Sequence, residues 1–281
     1  MKSFILEQEQ IMAYGKYLQE NERSLGTVEK YLRDANELAE WLGGCPITKE
    51  AMINWKSSLQ EKGYATTTIN SKLTAVNGLL RFYGLENCCV RLFRLQRRVF
   101  RQKNQELTKE EYIRLVKTAH NKKKTRLALL LETICTTGIR VSEVQYITVQ
   151  AARYGRAEIT LKGKIRTILL PRKLCQKLLK YARKQKISSG QIFLTRNGHG
   201  LSRKQIWSEM KHLCSAAAVA PSKVFPHNLR HLFATMFYRA CKDIVLLADV
   251  LGHSNIDTTR IYLLTTGKEH SCRLERLGLI T

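Results

Sequence analysis

The spacing of apolar residues over the first ninety positions is the feature that most limits what this chain can fold into. Apolar side chains recur every three or four positions from Gln8 to Leu18 and again from Thr27 to Leu42, which is the period of an amphipathic helix. A third helix is predicted after Thr48, and a fourth after the threonines at 66–68. The sequence therefore predicts a small all-α domain over residues 1–90.

The rest of the chain is predicted to be mostly helical with one short β region. A capping box that begins at Thr108 marks the start of a new helix. Two strand-like runs, 158–161 and 166–170, flank a Lys-Gly-Lys turn and predict a β-hairpin. The expected fold class is mainly α with two domains, joined by a basic linker over 91–105. The second domain, over 106–281, includes the β-hairpin and a C-terminal tail.

The charge balance indicates a polyanionic partner. The chain carries 48 Lys and Arg against 23 Asp and Glu, a formal net charge of +25. Nucleic-acid phosphates bind such side chains and release counterions, so nucleic acid is the expected partner. The alternatives are a merely basic soluble protein and a protein that binds an anionic membrane. The charge is spread along the chain, which disfavours the membrane alternative. The residues predicted to contact phosphates lie in the acid-free linker and in the fourth helix: Arg91, Arg94, Arg97, Arg98, Arg101, Lys103 and Lys72.

The sequence predicts neither a metal site nor a membrane anchor. The eight cysteines form no CxxC pair and there is no HExxH string, so a zinc site is not expected. No run approaches the ~18 apolar residues that a membrane helix needs. The first ten residues are polar and acidic, unlike a signal peptide. Reduced thiols are the simplest account of the cysteines, so a cytoplasmic protein is expected.

Arg140 is the first candidate for a functional side chain. It follows Gly138, which ends a buried-looking helix, and it therefore lies at a helix junction. A guanidinium in such a place can hold an anion through two parallel hydrogen bonds. The alternative is a structural ion pair with Glu143, three residues later, and Arg140 alone favours that alternative.

His227 and Arg230 form the second candidate pair. Their spacing of three places them on one face of a helix, and Pro226 is typical of a helix start. A histidine and an arginine on one face can bind a phosphate and move a proton. On its own this pair is a weak indication, and His231 is interpreted as a core or capping residue that points elsewhere.

Tyr262 is the third candidate, at the end of a segment that begins at Gly252. This glycine ends an apolar helix, so His253 is predicted to lie on a turn. Ser254 and Asp257 are predicted to form a capping box for the next helix, with Tyr262 in it or just after it. A tyrosine becomes a useful nucleophile only in a cationic site, because its hydroxyl pKa is near 10. The alternative is an ordinary core aromatic residue.

Together these segments resemble the tyrosine recombinase, or phage integrase, family. The matched strings are Thr-Gly-Ile-Arg-Val-Ser-Glu (137–143), His-Asn-Leu-Arg-His (227–231), and Leu-Gly-His-Ser to Thr-Thr-Arg-Ile-Tyr (251–262). They occur in the family's order, with the lysine-bearing hairpin between the first two. The nine-residue gap from His253 to Tyr262 also matches. The helices of the N-terminal domain look like the family's core-binding domain, and the second domain like its catalytic domain.

The resemblance implies a role for each matched residue. Arg140 and Arg230 would bind the scissile phosphate of DNA, and His227 and His253 would hydrogen-bond it and help to move protons. Tyr262 would attack the phosphorus and form a 3′-phosphotyrosyl link, which a hydroxyl from another strand later reverses.

The general acid that protonates the leaving 5′ hydroxyl would be a hairpin lysine. The family's string is usually Lys-Gly-x-Lys-x-Arg, with the first lysine catalytic. Here the string from Lys162 to Arg166 is one residue shorter. Lys162 is therefore favoured, and Lys164 remains the alternative.

The resemblance also implies partners. The expected activity is site-specific recombination that integrates or mobilises a genetic element, by a homo-tetramer on double-stranded DNA with specific sites. An accessory DNA-bending factor is compatible with this activity, and neither ATP nor a metal is implied. The alternatives are a type IB topoisomerase-like enzyme that relaxes DNA and a non-catalytic DNA-binding relative.

Overall fold

The described part of the chain comprises two compact units. The structure is a computed structural model that describes residues 4–94, 106–161 and 164–262. At residues 161 and 164 it describes the backbone alone. The chain divides into residues 1–97 and residues 98–281. Each unit has its own hydrophobic core. The division falls inside the predicted linker, of which residues 95–105 lie outside the described residues.

The first unit is a helical domain, as the apolar spacing predicts. Its helices are α1 (Gln8–Glu20), α2 (Leu25–Leu42), α3 (Lys49–Glu61) and α4 (Thr66–Phe82). Leu38, Met52, Trp55 and Leu73 are at most 1 % exposed. They come from three of the four helices. The domain is therefore stabilised by packing between helices, each of which would be only marginally stable in isolation.

The end of the predicted first domain and the start of the predicted linker, residues 90–93, lie against α3 and α4. The side-chain amide of Asn77 donates to the carbonyl of Val90 (2.8 Å) and accepts from its N–H (3.1 Å). Asn70 pairs with the backbone of Phe93 in the same way, at 2.9 and 2.8 Å. Lys56 donates to the carbonyl of Arg91 at 2.7 Å. Two asparagines of α4 thus satisfy backbone groups that a free linker would leave to water.

The second unit is mostly helical. Its helices are α5 (Lys109–Asn121), α6 (Thr125–Thr137), α7 (Val149–Tyr154), α8 (Arg172–Lys184), α9 (Arg203–Cys214), α10 (Pro226–Cys241), α11 (Ile244–Leu251) and α12 (Asp257–Arg260), with a 3₁₀ helix over Val141–Tyr146. The capping box at the start of α5 is confirmed: Thr108 Oγ1 accepts from the N–H of Glu111, and the Glu111 carboxylate accepts from the N–H of Thr108.

A two-stranded antiparallel sheet interrupts these helices. Strand β1 (Arg156–Leu161) pairs with β2 (Lys164–Leu169), from Arg156 opposite Leu169 to Leu161 opposite Lys164. The predicted hairpin is confirmed, although each strand begins two residues earlier than predicted. The difference arises because backbone pairing extends beyond the apolar runs on which the prediction rested.

α6 lies at the centre of the second unit and positions the candidate residues. Leu127, Leu130, Leu131 and Ile134 are at most 1 % exposed, so the helix is enclosed on several sides. α6 packs against α10, which in turn contacts α11, and α11 contacts α12. The C-terminal ends of α6 and α11 and the N-terminal half of α10 are thereby brought into one region.

Candidate active site

Arg140 stands beyond a turn that only glycine can make. Gly138 ends α6 in the left-handed conformation (φ 65°), and a Cβ there would lie 2.3 Å from the Phe233 ring. After the buried Ile139, the chain becomes extended at Arg140 and enters the 3₁₀ helix. The Arg140 side chain is 40 % exposed and is therefore accessible to a ligand.

Glu143 is a buried carboxylate that holds Arg140 in two ways. Its Oε2 accepts from the backbone N–H of Arg140 at 2.7 Å, and its Oε1 accepts from the guanidinium at 2.9 Å. Arg140 Nη2 reaches the carbonyl of Gly252 at 3.4 Å. The ion pair that the sequence offered as an alternative is therefore present. Since it occupies only part of an exposed guanidinium, it orients Arg140 without preventing anion binding.

Arg166 is a site residue that sequence reasoning missed. From strand β2 it donates to Glu143 Oε2 at 2.8 Å and to the carbonyl of Leu251 at the end of α11. Burial, partly offset by Glu143, lowers the pKa of this guanidinium. A Cβ at Gly252 (φ 63°) would collide with the Arg166 side chain, so the glycine makes room for it. The only available indication was the final arginine of the hairpin string, to which no role was assigned.

Arg230 is buried among backbone carbonyls. It is 2 % exposed and donates to the carbonyl of Gly138 at the end of α6 and to that of Leu251 at 2.8 Å. Helix C-termini attract cations, which offsets part of the cost of burying the charge. Burial, followed by the nearby Arg140, lowers the pKa of Arg230 to about 10. The guanidinium therefore stays charged at neutral pH.

His227 lies one turn before Arg230 on α10, which begins at Pro226 as predicted. Its side chain is exposed on the surface of the second unit. Partial desolvation, followed by the charges of Arg230 and Arg140, lowers the pKa of His227. The neutral imidazole is therefore the principal form at neutral pH.

His253 is fixed at both ring nitrogens. Nε2 lies 2.9 Å from Arg230 Nη2, and Nδ1 lies 2.9 Å from the hydroxyl of Thr259. Burial, followed by the charge of Arg230, lowers the pKa of His253 to about 4. The predicted capping box of Ser254 and Asp257 is wrong, because Asn255 Oδ1 accepts the N–H of Asp257 at 2.8 Å instead.

Tyr262 lies two residues after the end of α12 and is 3 % exposed. Its ring packs in a small cluster with Ala234, Leu247 and Leu251, so the interpretation as a core aromatic describes its ring correctly. Tyr262 nevertheless interacts electrostatically with the buried Arg230, where it partly offsets the lowering of the Arg230 pKa. Its ring also stacks on that of His253, with centroids 6.1 Å apart and planes at 12°. A core position and a place in the cationic site are therefore compatible.

His231 lies beside Tyr262, although the sequence suggested that it pointed elsewhere. The two ring centroids are 5.0 Å apart in an edge-to-face arrangement. His231 Nε2 is 3.7 Å from the carboxylate of Glu106. The i, i+3 spacing that paired His227 with Arg230 gave no indication of this contact, because it crosses between chain segments.

The remaining predicted site residues lie outside the described part of the chain or in the first unit. Lys162 lies outside the described residues, and the side chain of Lys164 is not described. Arg91 and Arg94 are exposed on the first unit. Lys72 is only 10 % exposed, and its ammonium contacts the carboxylates of Asp34 and Glu37. The linker residues that also lie outside the described part are Arg97, Arg98, Arg101 and Lys103.

The second unit thus gathers three guanidiniums, two imidazoles and a phenol. Among the described side chains, Arg140 and Arg166 share the carboxylate of Glu143 as their counter-ion. Such an excess of fixed donors suits a tetrahedral anion whose charge increases during reaction. Within the described ranges there is no cluster of three or more His, Cys, Asp or Glu that could hold a metal, and no helix long and apolar enough to cross a membrane.

Comparisons with known proteins agree with this arrangement. Residues 105–268 match the phage integrase family, and residues 11–87 match the phage integrase N-terminal SAM-like domain. The tyrosine recombinase XerA of Pyrococcus furiosus is 29% identical over 287 residues, covering 100% of this chain and 98% of the relative. The tyrosine recombinase XerC of Roseiflexus castenholzii is 27% identical, covering 90% of this chain and 88% of the relative.

Solved structures share the fold. The Tn1549 transposon integrase in complex with transposon right end DNA has a TM-score of 0.71 at 19% identity, covering 97% of this chain and 99% of that chain. The XerH site-specific recombinase bound to its difH substrate also has a TM-score of 0.71, at 20% identity, covering 98% of this chain and 85% of that chain.

Proposed function

Because the chain belongs to the phage integrase family of tyrosine recombinases, whose activity is cleavage and rejoining of DNA strands, we propose that Tyr262 is its nucleophile. The expectation of a site-specific recombinase is confirmed at the level of the family, and the topoisomerase-like and non-catalytic alternatives are not favoured. The observation that carries the residue assignment is the stacking of the Tyr262 ring on His253, together with its electrostatic interaction with Arg230, in a region that also holds Arg140 and His227.

The proposed chemistry uses the phenol and the fixed cations. The Tyr262 oxygen attacks the phosphorus as its proton passes to a neutral imidazole of the site, and a 3′-phosphotyrosyl bond forms as the bond to the 5′ oxygen breaks. Arg140 and Arg230 bind the non-bridging oxygens, whose negative charge increases in the transition state. His227 and His253 contribute hydrogen bonds and proton transfer. Glu143 orients Arg140 and is not itself a reacting group.

A hairpin lysine completes the proposal. The leaving 5′ oxygen needs a proton, and Lys162 is the proposed donor, with Lys164 as the alternative. Support comes from the hairpin itself: β1 and β2 pair as far as Leu161 and Lys164, and Arg166 connects β2 to Glu143 in the site.

The proposed partner is double-stranded DNA with specific recombination sites. The net charge of +25 and the exposed Arg91 and Arg94 support phosphate binding. We further propose a homo-tetramer on DNA, a role in integrating or mobilising a genetic element, assistance from an accessory DNA-bending factor, and a cytoplasmic location. The domain limits 1–90, 91–105 and 106–281 remain part of this proposal.

A covalent-trapping assay tests the nucleophile. The full chain is incubated with a nicked suicide duplex from the ends of its own element, and a denaturation-resistant adduct is sought. We expect an adduct with the wild type and none with Tyr262→Phe, which keeps the buried ring but lacks the attacking oxygen.

The matched control is Tyr238→Phe, the same change at a ring that packs against the same small cluster. It should form adduct at the wild-type rate. An adduct with Tyr262→Phe would refute the assignment of Tyr262 as nucleophile.

A further inference from the structure

The hydrogen bonds of His253 specify where its ring proton lies. An arginine side chain has donors only, so the Arg230 Nη2 that lies 2.9 Å from Nε2 must donate to it. Nε2 therefore carries a lone pair, and the proton of the neutral ring is on Nδ1. That proton is donated to the Thr259 hydroxyl oxygen at 2.9 Å.

This arrangement leaves the Thr259 hydroxyl hydrogen without an acceptor. Thr259 is fully buried, and the imidazole is the partner that its hydroxyl has among the described residues. A buried donor that makes no hydrogen bond is unfavourable, and native proteins rarely retain one.

The opposite tautomer would satisfy Thr259 but conflict with Arg230. With the proton on Nε2, the Thr259 hydroxyl could donate to Nδ1, and its hydrogen would be paired. The Nε2 proton would then face an N–H of Arg230, however, and two donors cannot pair. In the free protein Arg230 therefore determines the tautomer of His253. The Thr259 hydroxyl hydrogen is then left without an acceptor among the described residues.

A phosphate oxygen would remove this conflict. If it accepts the Arg230 N–H, Nε2 no longer has to act as an acceptor. We propose that Thr259 is a positioning residue whose hydroxyl changes from hydrogen-bond acceptor to donor when phosphate binds. His253, which accepts at Nε2 in the free protein, then donates an Nε2–H to the bound phosphate. This inference rests on the proposed function, in which His253 contacts the scissile phosphate.

The change is balanced in protons. One proton leaves Nδ1 for solvent and one reaches Nε2 from solvent, so the ring stays neutral, while the Arg230 N–H turns from Nε2 to the phosphate oxygen. A second protonation would be an alternative way to obtain a donor at Nε2. It is disfavoured near pH 7, because burial and Arg230 lower the pKa of His253 to about 4.

Nitrogen-15 NMR of the full chain, labelled at histidine, tests the proton positions directly. His253 is assigned by comparison with His253→Gln, and inorganic phosphate is the probe, with sodium chloride at equal ionic strength as the control. We expect a protonated Nδ1 in the free protein and a protonated Nε2 with phosphate. A protonated Nε2 in the free protein would overturn the inference. An unchanged His253 ring, while the His227 resonance shifts with phosphate, would overturn it equally.

Substitutions at Thr259 test the role of the hydroxyl. Thr259→Val keeps the shape but cannot donate, so it should lose the phosphate-dependent tautomer change. It should also form covalent adduct about three- to tenfold more slowly, the rate equivalent of one neutral hydrogen bond. Thr259→Ser should retain both properties, and DNA affinity should be unchanged in either variant. Thr258→Val, an exposed position on the same helix, is the matched control.

The two proposals can fail separately. A wild-type tautomer change in Thr259→Val would refute the role of Thr259, whether or not DNA is cut. Absence of any wild-type adduct on DNA, with the tautomer change still observed, would refute the proposed function and leave the hydrogen-bond inference standing.

Discussion

The three arginines of the site have the same charge but different environments. Arg140 is 40 % exposed and held by Glu143, Arg166 is 16 % exposed and shared between Glu143 and Leu251, and Arg230 is 2 % exposed among carbonyls. Arg140 can therefore meet an incoming anion with the least desolvation of surrounding groups. Arg230 is held by two backbone carbonyls, and so its positive charge stays in a defined place while an N–H remains able to meet an anion.

At the same residue scale, His253 gives a pH prediction. An unfolded histidine has a pKa near 6.5, whereas burial and Arg230 lower the folded pKa of His253 to about 4. The folded state therefore binds fewer protons between these values, and this contribution to stability is present above about pH 6.5 and lost as pH falls toward 4. We expect the melting temperature of His253→Gln to fall less than that of the wild type between pH 7.5 and pH 5.

The control for this measurement is His120→Gln, which changes an exposed histidine at the end of α5. It should keep the wild-type dependence of melting temperature on pH. An equal or steeper fall in His253→Gln would contradict the assigned direction of the pKa shift.

At the scale of elements, Arg166 connects three of them. It leaves strand β2, reaches the carboxylate of Glu143 in the 3₁₀ helix, and donates to the last residue of α11. Among the described residues its Nε has no hydrogen-bond partner. This side chain therefore holds β2 against the carboxylate that orients Arg140.

Replacement of Arg166 should therefore slow the reaction without removing any proposed reacting group. Arg166→Met keeps an unbranched apolar stem but removes the guanidinium, which leaves Glu143 with Arg140 as its cationic partner among the described residues. We expect covalent adduct to form about ten- to a hundredfold more slowly, the equivalent of a hydrogen bond to a charged group. Arg166→Lys, which retains the charge, should lie between this variant and the wild type.

The matched control is Arg153→Met, the same change at an exposed arginine of α7. A wild-type rate of adduct formation in Arg166→Met, measured well below its melting temperature, would show that the hairpin is positioned by other contacts.

At the scale of the whole molecule, the charge of +25 makes DNA affinity dependent on salt. Each phosphate contact contributes about −0.9 to the slope of log affinity against log salt concentration. Glutamine at all six predicted linker contacts should therefore make the slope shallower by about 5. The six positions are Arg91, Arg94, Arg97, Arg98, Arg101 and Lys103.

Helix α8 provides a control of equal charge. Its exposed face carries six cations as well, and their replacement by glutamine changes the net charge by the same amount. These six are Arg172, Lys173, Lys177, Lys180, Arg183 and Lys184. A similar change of slope in both variants would mean that overall charge, and not the linker, determines the salt dependence.

The sequence by itself determined the features that depend on near neighbours. Apolar spacing placed the helices of the first unit, Thr108 marked the start of α5, and Pro226 marked the start of α10, because periodicity and capping are local properties. The residue types Arg140, Arg230, His253 and Tyr262 were also recognisable, since their strings are short and ordered.

Only the tertiary structure decided which distant groups share a hydrogen bond. Arg166 and Glu143 are 23 positions apart, and Glu106 precedes His231 by far more, so no local spacing predicts either contact. The burial of Lys72 between two carboxylates of α2 likewise depends on how helices pack. The tautomer of His253 follows from Arg230 and Thr259 together, because it depends on which donor faces each nitrogen and not on the order of residues along the chain.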